Sequence, residues 1–220
     1  MNLQEIEHLR CPYCCRDTDA SEVMEYQGTN LELDLMDGVL ICRGCYVAWG
    51  VQDGWVRLTR EDRSAFSNRL KRGLESNAPK FHDWGMKIAG LSPCRMIDEA
   101  IDASQISQLS STNGSVRILE IGVGSGGNLP SIYGASPEGA QVWGIDLSIG
   151  LLERCRRKVQ AETELTGTRL LMADPHRMPF PDRLFDRVLY VGKMTDFREP
   201  EVVRREMLRV VKEDGMVFPA

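Results

Sequence analysis

From Val116 onward, short apolar runs alternate with longer stretches whose apolar residues recur at helical spacing, the pattern of a parallel sheet with helices on its faces. Strands are predicted at Val116–Ile121, Gln141–Ile145, Arg169–Met172, Arg187–Val191 and Met216–Phe218, with the clearest helices over Leu151–Glu164 and Glu199–Val211. Ahead of this region, Glu61 to Leu109 is helical and polar, broken at Pro79 and at Ser92-Pro93, and the small polar run Ser110 to Ser115 reads as a loop. Residues 10–58 hold only short strand signals, at Val39-Leu40-Ile41, Tyr46-Val47-Ala48-Trp49 and, after a Gln52-Asp53-Gly54 turn, Trp55-Val56-Arg57-Leu58. The chain therefore divides into a small β module over 1–60, a helical linker or lid over 61–113 and an α/β domain over 114–220.

Composition sharpens this division. Five of the 7 cysteines fall in the first 45 residues, and that first segment of 60 residues carries ten acidic side chains against five basic ones. An acidic surface repels phosphate backbones. The remaining charge is nearly balanced, with a basic excess at Arg63, Arg69, Lys71, Arg72, Lys80 and Lys87 and a second cluster at Arg154, Arg156, Arg157 and Lys158, expected on a helix facing solvent. No apolar run reaches the roughly 18 residues of a membrane span, and the N-terminus has no basic flank and apolar core, so a cytoplasmic location is expected. Thiols in a reducing compartment serve as metal ligands or buried side chains rather than disulfides.

Cys11-Pro12-Tyr13-Cys14 and Cys42-Arg43-Gly44-Cys45 are two CxxC pairs, each placing two thiolates on one side of a tight turn. Together they make the sulfur cage that zinc prefers. The 27 residues between the pairs leave room for a hairpin. The alternative for the first pair is a redox site, since Cys-Pro-Tyr-Cys is also the glutaredoxin string, but the following Arg16-Asp17-Thr18-Asp19 opens no helix and the second pair would be unexplained. Cys15 is a bystander or an alternative ligand; Cys94 and Cys155 read as lone buried thiols.

In the α/β domain, Arg117-Ile118-Leu119-Glu120-Ile121 runs into Gly122-Val123-Gly124-Ser125-Gly126-Gly127-Asn128, a strand entering a glycine-rich turn that opens a helix. Glycines there let the backbone approach a ligand closely. The spacing also satisfies the dinucleotide fingerprint. Glu120 weighs against that: a carboxylate two residues before the first glycine suits the cationic amino-acid end of S-adenosylmethionine better than a pyrophosphate. Asp146 ends the second strand, where an acceptor can hold ribose hydroxyls, or can simply cap the following helix. Asp174-Pro175 follows the third strand as a ligand or a turn, and Phe185 reads as core.

LEIGVGSGG (119–127), GIDLS (144–148), the AD…MPFPDRLFDRV block (173–188) and REMLRVVKEDG (205–215) occur in the order found in the class I S-adenosylmethionine-dependent methyltransferase family, and this part of the chain resembles that family, in particular its quinone-biosynthesis-like, type 11 branch. The resemblance implies a Rossmann-like α/β fold. It implies that Glu120, Gly122, Gly124 and Gly126 line the methionine and ribose end of the cofactor, that Asp146 and Leu147 hold the ribose, and that Asp174 accepts from the adenine amino group. The family's sheet has seven strands, so a chain ending at Ala220 is expected to lack the closing C-terminal strands. Residues 38–56 resemble the small zinc-ribbon activator proteins that partner RNA and protein methyltransferases.

These features imply an S-adenosylmethionine-dependent methyltransferase with zinc in a structural or substrate-gating role and a small-molecule or lipid-like acceptor. RNA-directed methylation and a cofactor-binding regulatory protein without activity are the alternatives. Methyl transfer from a sulfonium needs chiefly alignment of the nucleophile. His176, Tyr190, Lys193, His82 and Asp83 are the candidates for a base, and Phe81-His82-Asp83-Trp84 resembles a pocket lid.

Overall fold

The structure, a computed structural model, describes residues 3–14, 24–31, 34–59, 93–110 and 115–219. Most of the linker expected over 61–113, including His82, Asp83, the Phe81–Trp84 stretch and the basic positions between Arg63 and Lys87, lies outside the described residues, as does Cys15.

After a 3-10 turn at Leu3–His8, four strands form an antiparallel meander: β1 (Met24–Leu31), β2 (Asp34–Cys42), β3 (Ala48–Gln52) and β4 (Trp55–Leu58). Helix α1 (Pro93–Ser104) precedes an alternating series: β5 (Arg117–Ile121), α2 (Leu129–Ala135), β6 (Gln141–Asp146), α3 (Ile149–Ala161), β7 (Thr168–Ala173), β8 (Phe185–Tyr190), α4 (Pro200–Val210) and β9 (Val211–Phe218). β1 carried no strand signal because, beside the buried Met24, its residues Glu25, Tyr26 and Gln27 are polar or half-exposed. β9 begins five residues earlier than expected, and its polar Lys212 to Gly215 segment coincides with a shift of register against β8 between Phe185 and Arg187.

All nine strands join one sheet, in the order β1-β2-β3-β4-β7-β6-β5-β8-β9. The meander is not a separate sheet: Arg57 and Leu58 of β4 pair in parallel with Met172 and Ala173 of β7. From β7 to β9 every pairing is parallel. Chain order runs outward from β5 first to β6 and β7, then on the other side to β8 and β9, so the carboxyl ends of β5 and β8 flank a topological switch point, where open α/β sheets bind ligands.

The strand period of two sorts neighbours onto opposite faces. Leu119, Trp143 and Val188 pack with α4 residues Val203, Met207 and Val210 on one face, whereas Ile118, Val142 and Leu189 pack with Leu152 and Cys155 of α3 on the other. Trp143 is fully buried, with Phe180 and Phe185 edge-on at 5.6 and 6.3 Å. Removing an aromatic of this kind from a core costs roughly 3–5 kcal/mol.

The same core layer takes in Ile6 and Leu9, and His8 stands edge-on to Trp143 at 6.0 Å. Arg10 donates from its backbone N–H to Pro179 O (2.8 Å) and from Nη1 to Asp182 Oδ1 (2.9 Å). Arg209 of α4 reaches the same carboxylate oxygen at 2.8 Å while gripping Glu206 with Nε and Nη2, both at 2.8 Å. The MPFPD segment is thus pinned between the N-terminus and α4 by charge-assisted hydrogen bonds.

Candidate functional site

β5 ends in a turn that only glycines build without strain: Gly122, Gly124 and Gly126 have φ of 68°, 55° and 78°. The turn is tied to the end of β6, because Gly122 and Val123 donate to Ile145 O at 2.8 and 3.1 Å, and Gly124 donates to Asp146 Oδ2 at 3.0 Å. The other carboxylate oxygen of Asp146 accepts from Ser148 N–H at 2.8 Å, and the Ser148 hydroxyl accepts from Leu151 N–H to cap α3. Asp146 therefore links the glycine turn to the following helix, and the helix cap itself is Ser148. Leu147, between them, is half-buried.

Gly122 is exposed beside Tyr190, Gly124 is half-buried, and Gly126 is buried, with Cys155 Sγ only 2.8 Å from where a Cβ would stand. The first two leave backbone open at the mouth of the turn; the third lets α3 press against it. Lys158 donates to Gly126 O at 3.0 Å and Arg156 lies 4.6 Å over the Trp55 ring, so of the cluster expected on a solvent-facing helix only Arg154 and Arg157 are exposed. Arg156 is drawn onto the β3–β4 turn and Lys158 onto the glycine turn, because a long cationic side chain packs its stem while placing its head on a ring or carbonyl.

Glu120 is 1% exposed. Its Oε1 accepts from Asn128 Nδ2 at 2.7 Å, while Oε2 is buried with no partner among the described residues. Burial pushes this carboxyl up to about 8, with the Asp146 charge adding to the shift and the Asn128 hydrogen bond opposing it. A buried carboxyl with one orphaned oxygen is a site awaiting a donor, and a cation best satisfies it. Asn128 was not foreseen; its position at the end of the glycine run, just before the helix, was the available signal.

Asp174 follows β7, and its Oδ1 accepts from the His176 backbone N–H at 2.9 Å and faces His176 Nδ1 at 2.7 Å. His176 Nε2 is buried without a partner among the described residues. The ring stands edge-on to Phe197 at 6.1 Å, which in turn lies 4.5 Å from Tyr190. Tyr190 donates to Asp196 Oδ2 at 3.2 Å and its hydroxyl is pushed well above the usual phenol range by burial. Lys193 is exposed. His176 and Tyr190 thus meet through Phe197, and Tyr190 borders the glycine turn.

At the other end of the meander, Cys11, Cys14, Cys42 and Cys45 converge, their sulfurs all within 4.8 Å of one another. Cys11 and Cys45 are 3.7 Å apart, as are Cys14 and Cys42. Four sulfurs at the 2.3 Å bond length of tetrahedral zinc thiolate lie about 3.8 Å apart, so the donor set fits the ion. Burial pushes the Cys11 thiol up to about 12, so a cation is what would hold thiolate there. Cys155 lies elsewhere, buried under Gly126.

Residues 119–218 match the methyltransferase domain family. Over this stretch the chain is similar to that domain family. The domain is 38% identical over 101 residues to phosphatidylethanolamine N-methyltransferase of Cereibacter sphaeroides, covering 46% of this chain and 48% of that protein. It is 28% identical over 102 residues to the ubiquinone/menaquinone biosynthesis C-methyltransferase UbiE of Burkholderia multivorans, covering 46% and 41%. A candidate S-adenosyl-L-methionine-dependent methyltransferase of Methanococcus maripaludis has the same fold, with a TM-score of 0.50, 18% identity and coverage of 63% of this chain and 59% of that one. The chain spans about half the length, or less, of the curated relatives it matches. No helix among the described residues is long and apolar enough to cross a membrane.

Proposed function

We propose that the protein is an S-adenosylmethionine-dependent methyltransferase of the cytoplasm acting on a small-molecule or lipid-like acceptor, with a structural zinc in its N-terminal module. The observation that carries this reading is the buried, half-satisfied carboxyl of Glu120 beneath a positive-φ glycine turn. An ammonium group can donate a charge-assisted hydrogen bond to Oε2 and so stabilise the carboxylate, which a dinucleotide pyrophosphate, an anion with no proton to donate, cannot do. Asp146, which crosses from Gly124 to Ser148, is the ribose acceptor in this reading, and Asp174, held by His176, is the adenine acceptor.

The bound cofactor supplies a methyl group already activated on a sulfonium. What the chain contributes is placement: Glu120 and Asn128 orient the amino-acid end, Gly122 and Gly124 allow backbone approach, and Asp146 fixes the sugar. Tyr190, beside Gly122, is the residue best placed to line the acceptor side of the turn. The lipid-like acceptor class is supported by relatives named for phosphatidylethanolamine and quinone methylation. The acidic bias of the first 60 residues, to which thiolate–zinc adds negative charge, disfavours RNA. A labelled-methyl transfer assay on lysate fractions separated into lipids, small molecules, protein and RNA tests the proposal. Label in the lipid or small-molecule fraction is expected; label confined to RNA or protein would overturn the acceptor class.

A further inference from the structure

Besides the contacts of Ile6 to Arg10 described above, the cysteine-bearing module meets the α/β domain at two places that lie directly behind expected cofactor acceptors. β4 pairs Arg57 and Leu58 with Met172 and Ala173, the last residues of β7, and Asp174 is the next residue. Trp55, at the start of β4, is buried in the core layer that holds Leu152 and Cys155 of α3. Arg156 of that helix lies 4.6 Å over the Trp55 ring and donates from Nη1 to Asp53 O at 3.0 Å. The guanidinium therefore clasps the tight β3–β4 turn, whose Asp53 and Gly54 both have positive φ.

Helix α3 carries that contact to the glycine turn. Its cap, Ser148, donates to Asp146; Cys155 fills the space beside Gly126; Lys158 donates to Gly126 O. A shift of α3 would move Asp146 and the glycine turn together. At the far end of the meander, β3 is fixed to the cysteine cluster by Cys42 N–H donating to Val47 O (3.0 Å) and by Ala48 pairing with Ile41. Packed elements with shared contacts carry coupling between two sites where both sites bias their arrangement.

Building on the cofactor and zinc readings above, we infer that Trp55 and Arg156 are positioning residues through which the cysteine module braces the adenosine half of the cofactor site. Zinc at the four cysteines holds β3 and β4 in place, β4 supports the strand that ends at Asp174, and the Arg156–Trp55 clasp supports the helix that follows Asp146. Zinc and cofactor consequently strengthen each other's binding, by reciprocity of linkage.

The test measures both ligands. S-adenosylhomocysteine affinity is determined by calorimetry on the full chain with zinc bound and after chelation, and zinc affinity by competition with a chromogenic chelator, with and without saturating S-adenosylhomocysteine. The expected result is about tenfold weaker nucleoside binding without zinc and a matching factor in zinc affinity, within the 5–150-fold range typical of coupled sites. Arg156→Ala should keep its zinc and reduce the coupling factor to about one to twofold, with Arg156→Lys only partly restoring it because an ammonium lacks the planar fork that stacks and donates together. A role in stability alone would lower the melting temperature without changing the coupling factor. If chelation unfolds the chain, zinc affinity in the presence and absence of nucleoside, in wild type and Arg156→Ala, decides alone. Equal zinc affinities with and without nucleoside, or an unaltered factor in Arg156→Ala, would overturn the brace. Failure of the zinc-loaded wild type to bind S-adenosylhomocysteine at all would overturn the cofactor reading beneath it as well.

Discussion

Asn128 donates from Nδ2 to Oε1 of Glu120 at 2.7 Å, leaving Oε2 of the same buried carboxyl without a partner among the described residues. One amide is enough to orient the group and too little to ionise it comfortably. The ligand-free domain therefore holds a protonated acid at neutral pH where a bound ammonium would require a carboxylate.

Glu120→Gln separates these two roles. The folded pKa of about 8 lies above the ordinary value of 4.5, so between those values the folded chain retains a proton the unfolded chain has lost, and stability falls as pH rises across that window. The Gln variant has no such titration. It should be more stable than wild type above pH 8 in denaturant melts without ligand, while binding S-adenosylmethionine at least about tenfold more weakly through loss of a charge-assisted bond. A variant with lower stability at high pH and undiminished affinity would contradict the assignment.

Asp146→Ala should weaken S-adenosylmethionine binding by roughly 1.5–3 kcal/mol, because it removes charged acceptors for the ribose. It also releases the Gly124 and Ser148 N–H groups, so amide exchange at those two positions should quicken. Unchanged affinity in the folded variant would return Asp146 to a purely structural role.

Purified protein should contain about one zinc per chain after growth in zinc-replete medium, and Cys42→Ser should lose it, since a hydroxyl is a poor replacement for a thiolate in a four-sulfur cage. Elemental analysis reads both. Full zinc content in Cys42→Ser would exclude this ligand set.

Bulk RNA should bind no more tightly than non-specific contacts allow, about 10⁻⁴–10⁻⁶ M near physiological salt, with a salt slope reflecting few phosphate contacts. An anisotropy titration with structured RNA measures it; nanomolar, structure-selective binding would favour an RNA acceptor.

The parallel sheet was legible because β5, β6 and β8 each carry a short apolar stretch buried on both faces, followed by longer helical patterns. The glycine turn, Glu120 and Asp146 were legible because their order along a strand–turn–helix and the next strand end is local. The cysteine pairs were legible from spacing. What escaped was non-local: Asn128 closing on Glu120 depends on the curl of the turn, and the Arg156–Trp55 stack joins residues about a hundred positions apart, which no periodicity records. β1 escaped for another reason, since a polar edge strand lacks the alternation by which strands are read.

The most direct test of the central claim is calorimetry of S-adenosylmethionine binding at pH 7 in a series of buffers with different ionisation enthalpies. If Glu120 is protonated in the free domain and ionised against the ligand's ammonium, binding should be saturable with one site per chain, and the observed heat should vary with buffer by an amount corresponding to close to one proton released, a dependence that Glu120→Gln abolishes. Absence of saturable binding, or binding whose heat is the same in every buffer and in the Gln variant, would contradict the account.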